Sequence, residues 1–388
     1  MQVCLNPHGS KGLVCSPSLA GERSKWAFNL KSWQNWGMTL SQNHPLIDGR
    51  TQDSALIHAL TGKKPSHHPV WFMRQAGRSL PEYLKLREGV SMLDSCLDPA
   101  MASEITLQPV RRHKVDAGIF FSDIVIPLRL AGIGVDIVPG VGPVLDTPIR
   151  TREQVAALPE LTDESLEPIR EAVRLTVAEL GKTPLIGFAG APFTVAAYMV
   201  EGKPSRDHLG PRTMMHTDPD VWDGLMTWAA DASGKFLRAQ VEAGASAAQL
   251  FDSWAGSLSL PDYQKHVAPY SVKSLDYVRD MGVPLIHFGT GTGELLTAMR
   301  DAGVDTVGVD YRIPLETAIE RLGQDVSVQG NIDPALLDAP WEVLEAHVRE
   351  VVAAGKKARG HVVNLGHGVP PTTDPTVLTR VVELIHSL

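Results

Sequence analysis

The stretch Leu185-Ile-Gly-Phe-Ala-Gly-Ala-Pro-Phe-Thr194 decides the fold. It lies inside an uncharged run between Lys182 and Glu201, close to the ~18-residue minimum for a membrane span. Pro184, Gly187, Gly190 and Pro192 punctuate that run. It therefore reads as a buried strand over Leu185–Phe188, a tight loop and the start of a helix, and no membrane insertion is expected.

The same unit recurs on both sides. Apolar runs rich in Val, Ile and Phe stand at Val70–Met73, Gly118–Phe121, Ala248–Phe251, Leu285–Phe288, Thr306–Val309, Val326–Val328 and Val362–Leu365. Helical periodicity fills the intervals, at Pro99–Arg112, Leu166–Leu180, Asp220–Glu242, Asp262–Met281, Leu295–Ala302, Leu315–Leu322 and Trp341–Lys356. Eight strands, apolar on both faces and each followed by an amphipathic stretch, predict an α/β fold of one domain, a (β/α)8 TIM-type barrel, rather than an open sheet. The alternating, turn-rich segment Gly132–Thr147 predicts a β-hairpin insertion after the second strand, at the barrel mouth.

The composition is that of an ordinary globular protein: 388 residues, 43% hydrophobic and 21% charged. Lys and Arg number 36 against 44 Asp and Glu, a formal charge of −8, so nucleic acid is not an expected partner and any anionic ligand needs a local basic cluster. Cys4, Cys15 and Cys96 lie far apart with no CxxC, which excludes a disulfide scaffold and fits a reducing, cytoplasmic location. Residues 1–37 differ from the rest, with three tryptophans and no sustained period. They read as a misassigned start or disordered extension ahead of Met38 in preference to a targeting segment, leaving 38–388 as the barrel domain.

In a barrel, chemistry gathers where the strands end. Here the first strand runs into Arg74-Gln-Ala-Gly-Arg78, the second into Ser122-Asp123, the fourth into Asp252-Ser253, the fifth into His287, the sixth into Asp310 and the eighth into Gly366-His367-Gly368. With Ala189-Gly-Ala-Pro-Phe-Thr194 after the third strand and Asn331-Ile-Asp-Pro334 after the seventh, polar groups from all eight segments are expected to face one cavity. Arg74 and Arg78, four apart, present two guanidinium forks suited to carboxylates, unless they are surface arginines lying over apolar neighbours. Asp123 either caps a helix or, opposite arginines, is held ionised with a lowered pKa to stabilise an N–H or a developing cation. His361 and His367 are roughly 20 Å apart if extended, and no histidine shows the HExxH spacing, so no metal site is expected. Tyr198 and Ser253 carry hydroxyls that serve a ligand carboxylate or a neighbouring backbone group equally well.

With these residues in view, the chain resembles the uroporphyrinogen decarboxylase family over roughly residues 45–388. Pro69-Val-Trp-Phe-Met-Arg-Gln-Ala-Gly-Arg78, Leu185–Thr194 with Tyr198-Met-Val-Glu-Gly202, Phe121-Ser-Asp-Ile124, Gln329-Gly-Asn-Ile-Asp-Pro334 and Asn364-Leu-Gly-His-Gly368 carry the likeness. The resemblance implies a homodimeric barrel without metal or organic cofactor that removes CO2 from the four acetates of uroporphyrinogen III, an octacarboxylate, to give coproporphyrinogen III. It implies that Arg74 and Arg78 bind carboxylates, that Asp123 coordinates the pyrrole N–H groups, and that Tyr198, Ser253 and His367 contact side chains. Gln75, Ala76 and Gly77 would approach the ligand through backbone or side chain. For the required acid, Arg74 or water polarised by it is the first choice, with Tyr198 and His367 as alternatives. Trp254 receives no role.

Two other functions stand against this reading. Barrel methyltransferases of similar fold activate thiols on zinc held by His and Cys, a ligand set that Cys96 alone in the barrel region cannot supply. A tetrapyrrole carrier would gain little from Asp123, whose charge repels a polyanion.

Overall fold

The computed structural model describes residues 40–388; the expected extension over 1–37, with Cys4 and Cys15, lies outside the described residues. Among the described residues nine strands form: β1 (Gly118–Ile119), β2 (Val135–Val138), β3 (Gly142–Leu145), β4 (Leu185–Gly190), β5 (Ala247–Asp252), β6 (Leu285–Gly289), β7 (Thr306–Gly308), β8 (Ser327–Gln329) and β9 (His361–Val362). All but β2 and β3 make one parallel sheet in the order β1-β4-β5-β6-β7-β8-β9. Its two outer strands are joined through residues 69–71: the Val363 N–H donates to the Pro69 carbonyl (2.9 Å), Trp71 N–H to Val363 (3.3 Å) and Asp116 N–H to Val70 (2.8 Å). The sheet is thereby curled on itself, and β2 with β3 forms the expected antiparallel hairpin.

The expected first strand, Val70–Met73, shrinks to the single parallel bridge Val70↔Val363. Its backbone donors are diverted to side chains: Phe72 N–H donates to Gln75 Oε1 (3.0 Å) and Met73 N–H to Asn364 Oδ1 (3.0 Å). The expected helix Asp262–Met281 is two helices, Leu260–His266 and Ala268–Arg279, parted at Val267 (φ −131). Pro269 explains the break, because it lacks the N–H and its ring crowds the preceding turn.

Inside the sheet Phe188, Phe251 and Phe288 meet edge to face, with ring centroids 5.3 and 5.8 Å apart. A polar chain crosses the same interior: Trp71 Nε1 donates to Gln329 Oε1 (3.1 Å), and Gln329 Nε2 donates to Gln249 Oε1 (3.1 Å). Such buried polar chains hold side-chain rotamers, and this one anchors the segment that leads into Arg74.

The last helix, Pro375–His386, is latched to the foot of the barrel by one carboxylate. Asp116 takes His67 Nε2 on Oδ1 (2.6 Å) and, on Oδ2, His386 Nε2 (2.8 Å) and the Val70 N–H (2.8 Å). The hydrogen bond to Asp116 raises the His386 pKa above 6.5. Burial alone would raise Asp116, but the hydrogen bonds from His386, His67 and Val70 bring it below 3.8. A raised histidine stabilises fully below its unfolded pKa and loses that contribution as pH rises; a lowered aspartate contributes above its unfolded pKa and loses it as pH falls. The latch is therefore strongest between about pH 3.8 and 6.5. His386→Gln is expected to lower the Tm most in that window and progressively less above it, as thermal melts across pH will read.

Candidate active site

Arg74 leaves the Val70 segment with φ 60, a left-handed conformation seldom taken by a side-chain-bearing residue and often kept at functional positions. The turn is imposed by Gln75, which is fully buried, accepts the Phe72 N–H and donates Nε2 to the Ala117 carbonyl (3.0 Å). Both ends of the Gln75 amide are thus occupied by the backbone, and its side chain has no direct route to a ligand. Arg74 and Arg78 are exposed, while Ala76 and Gly77 are half-buried.

Asp123 follows β1 and opens a short turn: its Oδ1 accepts the Val125 N–H (3.0 Å), and its carbonyl accepts the Ile126 N–H (3.1 Å). Capping and a place at the mouth therefore coexist in one residue. Asp123 is half-buried as a residue, and protein atoms crowd its carboxyl group. Burial raises its pKa above 3.8, against the pull of the Val125 and Ile124 N–H groups and the Arg74 cation. This differs from the lowered value expected from sequence. Desolvation outweighs the neighbouring positive charge because no arginine pairs with the carboxylate directly among the described residues.

Tyr198 comes from the helix Pro192–Glu201, begun by a proline at its first position and ended by Gly202 at φ 76. Burial, reinforced by Asp123, pushes its phenol up to about 12, so it remains a neutral hydrogen-bond donor. His367 sits between Gly366 and Gly368 in the loop after β9, half-buried. Burial, then the Arg74 and Arg312 cations, lower its pKa, so at neutral pH it is uncharged imidazole. Gly368 gives Arg74 its room: a Cβ there would lie 2.4 Å from Arg74 Cδ. The Arg74 charge thus reaches Asp123, Tyr198 and His367, which come from the turn after β1, the helix Pro192–Glu201 and the loop after β9.

Ser253, after β5, is half-buried and lines a cavity of about 400 Å³ at the mouth. Its carbonyl accepts the Thr290 hydroxyl. Of three further polar groups expected at the mouth, Asp252 and Asp310 brace neighbouring loops, and His287 is buried with neither ring nitrogen hydrogen-bonded among the described residues. Asp252 and His287 are fully buried, with Asp252 Oδ1 held by the Thr194 hydroxyl (2.8 Å) and His287 Nε2 3.7 Å from Asp252 Oδ2. Thr194 Oγ1 also accepts the Trp254 N–H (3.3 Å), so this buried group sets the loop that carries Ser253. Asp310 is buried and braces Gly291 N–H (2.7 Å) and Arg312 Nη1 (2.5 Å).

Trp254, given no role from sequence, stacks on Tyr198 with centroids 3.8 Å apart and on His208 at 4.2 Å. Two rings so close cannot share one face, so the indole lies between them. The signal for it was weak, a lone aromatic after a strand end. Cys96 is fully buried and free, its thiol pushed well up by burial and by Asp123, the opposite of an activated thiolate. Among the described residues no helix is long and apolar enough to cross a membrane.

The family profile described as uroporphyrinogen decarboxylase (URO-D) matches residues 51–388. A protein named uroporphyrinogen decarboxylase from Arthrobacter sp. (strain FB24) is 78% identical over 342 residues, 88% of this chain and 99% of that protein. One of the same name from Leifsonia xyli subsp. xyli (strain CTCB07) is 60% identical over 368 residues, 89% of this chain and 98% of its own. Among solved structures, a methyltransferase from Methanosarcina mazei superposes with a TM-score of 0.73, covering 87% of this chain and 98% of that one. At 17% identity that likeness speaks for the barrel-type fold alone.

Proposed function

This chain belongs to the uroporphyrinogen decarboxylase family and is a carboxy-lyase of that activity, and we propose that Asp123 is the centre of the step in which it removes CO2 from the four acetates of uroporphyrinogen III to give coproporphyrinogen III. The observation that carries the assignment is the crowded carboxyl of Asp123 beside the Arg74 cation, whose charge also reaches Tyr198 and His367.

Losing CO2 from an acetate leaves an electron pair that needs a sink, and the substrate's own pyrrole provides one. Protonation at the ring α-carbon gives an iminium-like cation. The bond to the carboxylate breaks with its electron pair entering that system, and CO2 departs. A proton then adds at the exposed methylene carbon to make the methyl group, and loss of the first proton restores the pyrrole. The net change per acetate is one proton in and one CO2 out, with no oxidant or reductant and no cofactor required.

Positive charge develops on the ring during this sequence. An anionic Asp123 that accepts the pyrrole N–H groups gains most when the ring is cationic, so it favours the transition state over the bound substrate. Arg74 and Arg78 bind carboxylates, Ser253 contacts a side chain, and Ala76 and Gly77 lie along the approach. Gln75 acts by shaping the turn. For the acid, His367 is a neutral imidazole and Tyr198 a neutral phenol, and both stand as alternatives to Arg74. Arg74, or water polarised by it, is the first choice because its charge reaches Asp123, Tyr198 and His367 alike, and a positioned acid contributes about 10²–10⁴-fold.

The homodimer is proposed on the resemblance, with Val138 and Val141 on the hairpin and Leu209 as exposed apolar side chains for it to cover. A cytoplasmic location is proposed with it, in keeping with the free thiol of Cys96. Anaerobic incubation of the protein with uroporphyrinogen III, followed by oxidation and separation by carboxyl number, is expected to show seven-, six-, five- and four-carboxylate products in turn. Intact substrate in the presence of folded protein would favour a carrier.

A further inference from the structure

The eight carboxylates of the substrate outnumber what Arg74 and Arg78 can pair, and the mouth carries a second set of cations. The cavity of about 400 Å³ beside Ser253 is lined by Arg206, Arg212 and Arg312, with Asp207 as its one carboxylate. Arg312 is partly neutralised by Asp310 at 2.5 Å and lies over the Tyr311 ring, 4.5 Å from its centroid. Arg206 and Arg212 are exposed, and no ion pair of either is found among the described residues; Arg212 Nη1 donates only to the Asp207 carbonyl, at 3.3 Å. His208, also in the lining, has its pKa lowered by burial and adds no charge at neutral pH.

Trp254 ties this cavity to the reacting groups. Its indole lines the cavity and stacks on Tyr198, while His208 covers the other face. The two sites are therefore neighbours across one aromatic wall. Forks of guanidinium with few acids among them suit carboxylates, since each fork offers parallel N–H donors that remain charged.

We propose that this cavity is a second carboxylate subsite, and that Arg206 and Arg212 bind a propionate arm of the macrocycle remote from the ring being decarboxylated. The proposal rests on the decarboxylase reading above. Propionate is the arm it must take, because acetates disappear one by one while the four propionates persist. A contact to propionate holds the substrate and every intermediate alike, which four successive turnovers on one site require. Such a contact is uniform binding: it lowers KM for every species and leaves the chemical step alone.

The test is the double variant Arg206→Gln/Arg212→Gln beside the wild type, with thermal melts to establish that both are folded. KM for uroporphyrinogen III is expected to rise about tenfold or more, with kcat within twofold of wild type. The inhibition constant of coproporphyrinogen III, whose carboxylates are all propionates, should weaken by a similar factor. The double lysine variant should recover part of both effects. An unchanged KM in the folded variant would overturn the subsite. So would a raised KM with unchanged inhibition by coproporphyrinogen III, because the arm read would then be acetate. Absence of turnover by the wild type would instead sink the decarboxylase reading from which the proposal starts.

Discussion

Asp123→Asn is expected to abolish most turnover while making the folded protein more stable. The stability half follows from the raised pKa. Burial disfavours the charged carboxylate in the fold, so ionisation costs stability, by an amount that is absent below the ordinary value of 3.8 and grows as pH rises through the folded pKa. Asparagine is never charged, and its amide oxygen still accepts the Val125 N–H that Asp123 Oδ1 takes at 3.0 Å. The Tm should therefore rise at neutral pH and stay level in strong acid. The activity half follows from the chemistry. A neutral amide cannot stabilise the developing pyrrole cation as a carboxylate does, and losing one such preorganised group costs about 10²–10³-fold in kcat. In the wild type, kcat/KM should fall on the acid side with an apparent pKa above 3.8. A stability gain bought with activity is the usual mark of a functional buried charge.

The second large effect centres on Arg74. Removing its guanidinium should lower kcat/KM by about 10²–10³-fold, since it both neutralises a substrate carboxylate and faces the reacting group. Its backbone adds a separate signature. At φ 60 an alanine pays the left-handed penalty of ~1–2 kcal/mol and a glycine does not, so Arg74→Gly should be more stable than Arg74→Ala by about 1 kcal/mol while both are equally inactive. Gly368→Ala approaches the same group from the other side. The added methyl meets the Arg74 side chain rather than backbone, at 2.4 Å from Cδ, so the fold should tolerate it and the guanidinium should move. Activity is expected to drop by up to about 10²-fold with little change in Tm. Equal activity of Gly368→Ala and wild type would mean that the position of Arg74 does not matter to the reaction.

Much of this architecture was legible because strands buried on both faces leave an unmistakable apolar signature, as Leu185–Phe188 and Leu285–Phe288 do. The Val70 segment was read as a longer strand because sequence does not show that Gln75 and Asn364 capture its backbone donors. The site was legible in part: Arg74, Asp123, Tyr198 and His367 stand at strand ends or in motifs, and Arg74 acts on the other three. Asp252 and His287 also stand at strand ends, but both are fully buried, with Thr194 holding one Asp252 oxygen and no hydrogen bond to either His287 nitrogen among the described residues, and residue order carries no mark of which side of the wall a polar side chain takes. The latch of His67, Asp116 and His386 is invisible in sequence for the same reason, its members being brought together only by the closing of the barrel. Arg206 and Arg212 flank the start of the helix Leu209–Thr217 and stand in no motif, so only the cavity shows them beside Trp254.

Asp123 serves the transition state rather than mere binding, and measuring product affinity and turnover in one preparation of Asp123→Ala separates the two roles. Turnover of uroporphyrinogen III should fall by about 10²-fold or more while the affinity for coproporphyrinogen III changes by much less. Parallel losses in turnover and product affinity, or full turnover without the carboxylate, would contradict it.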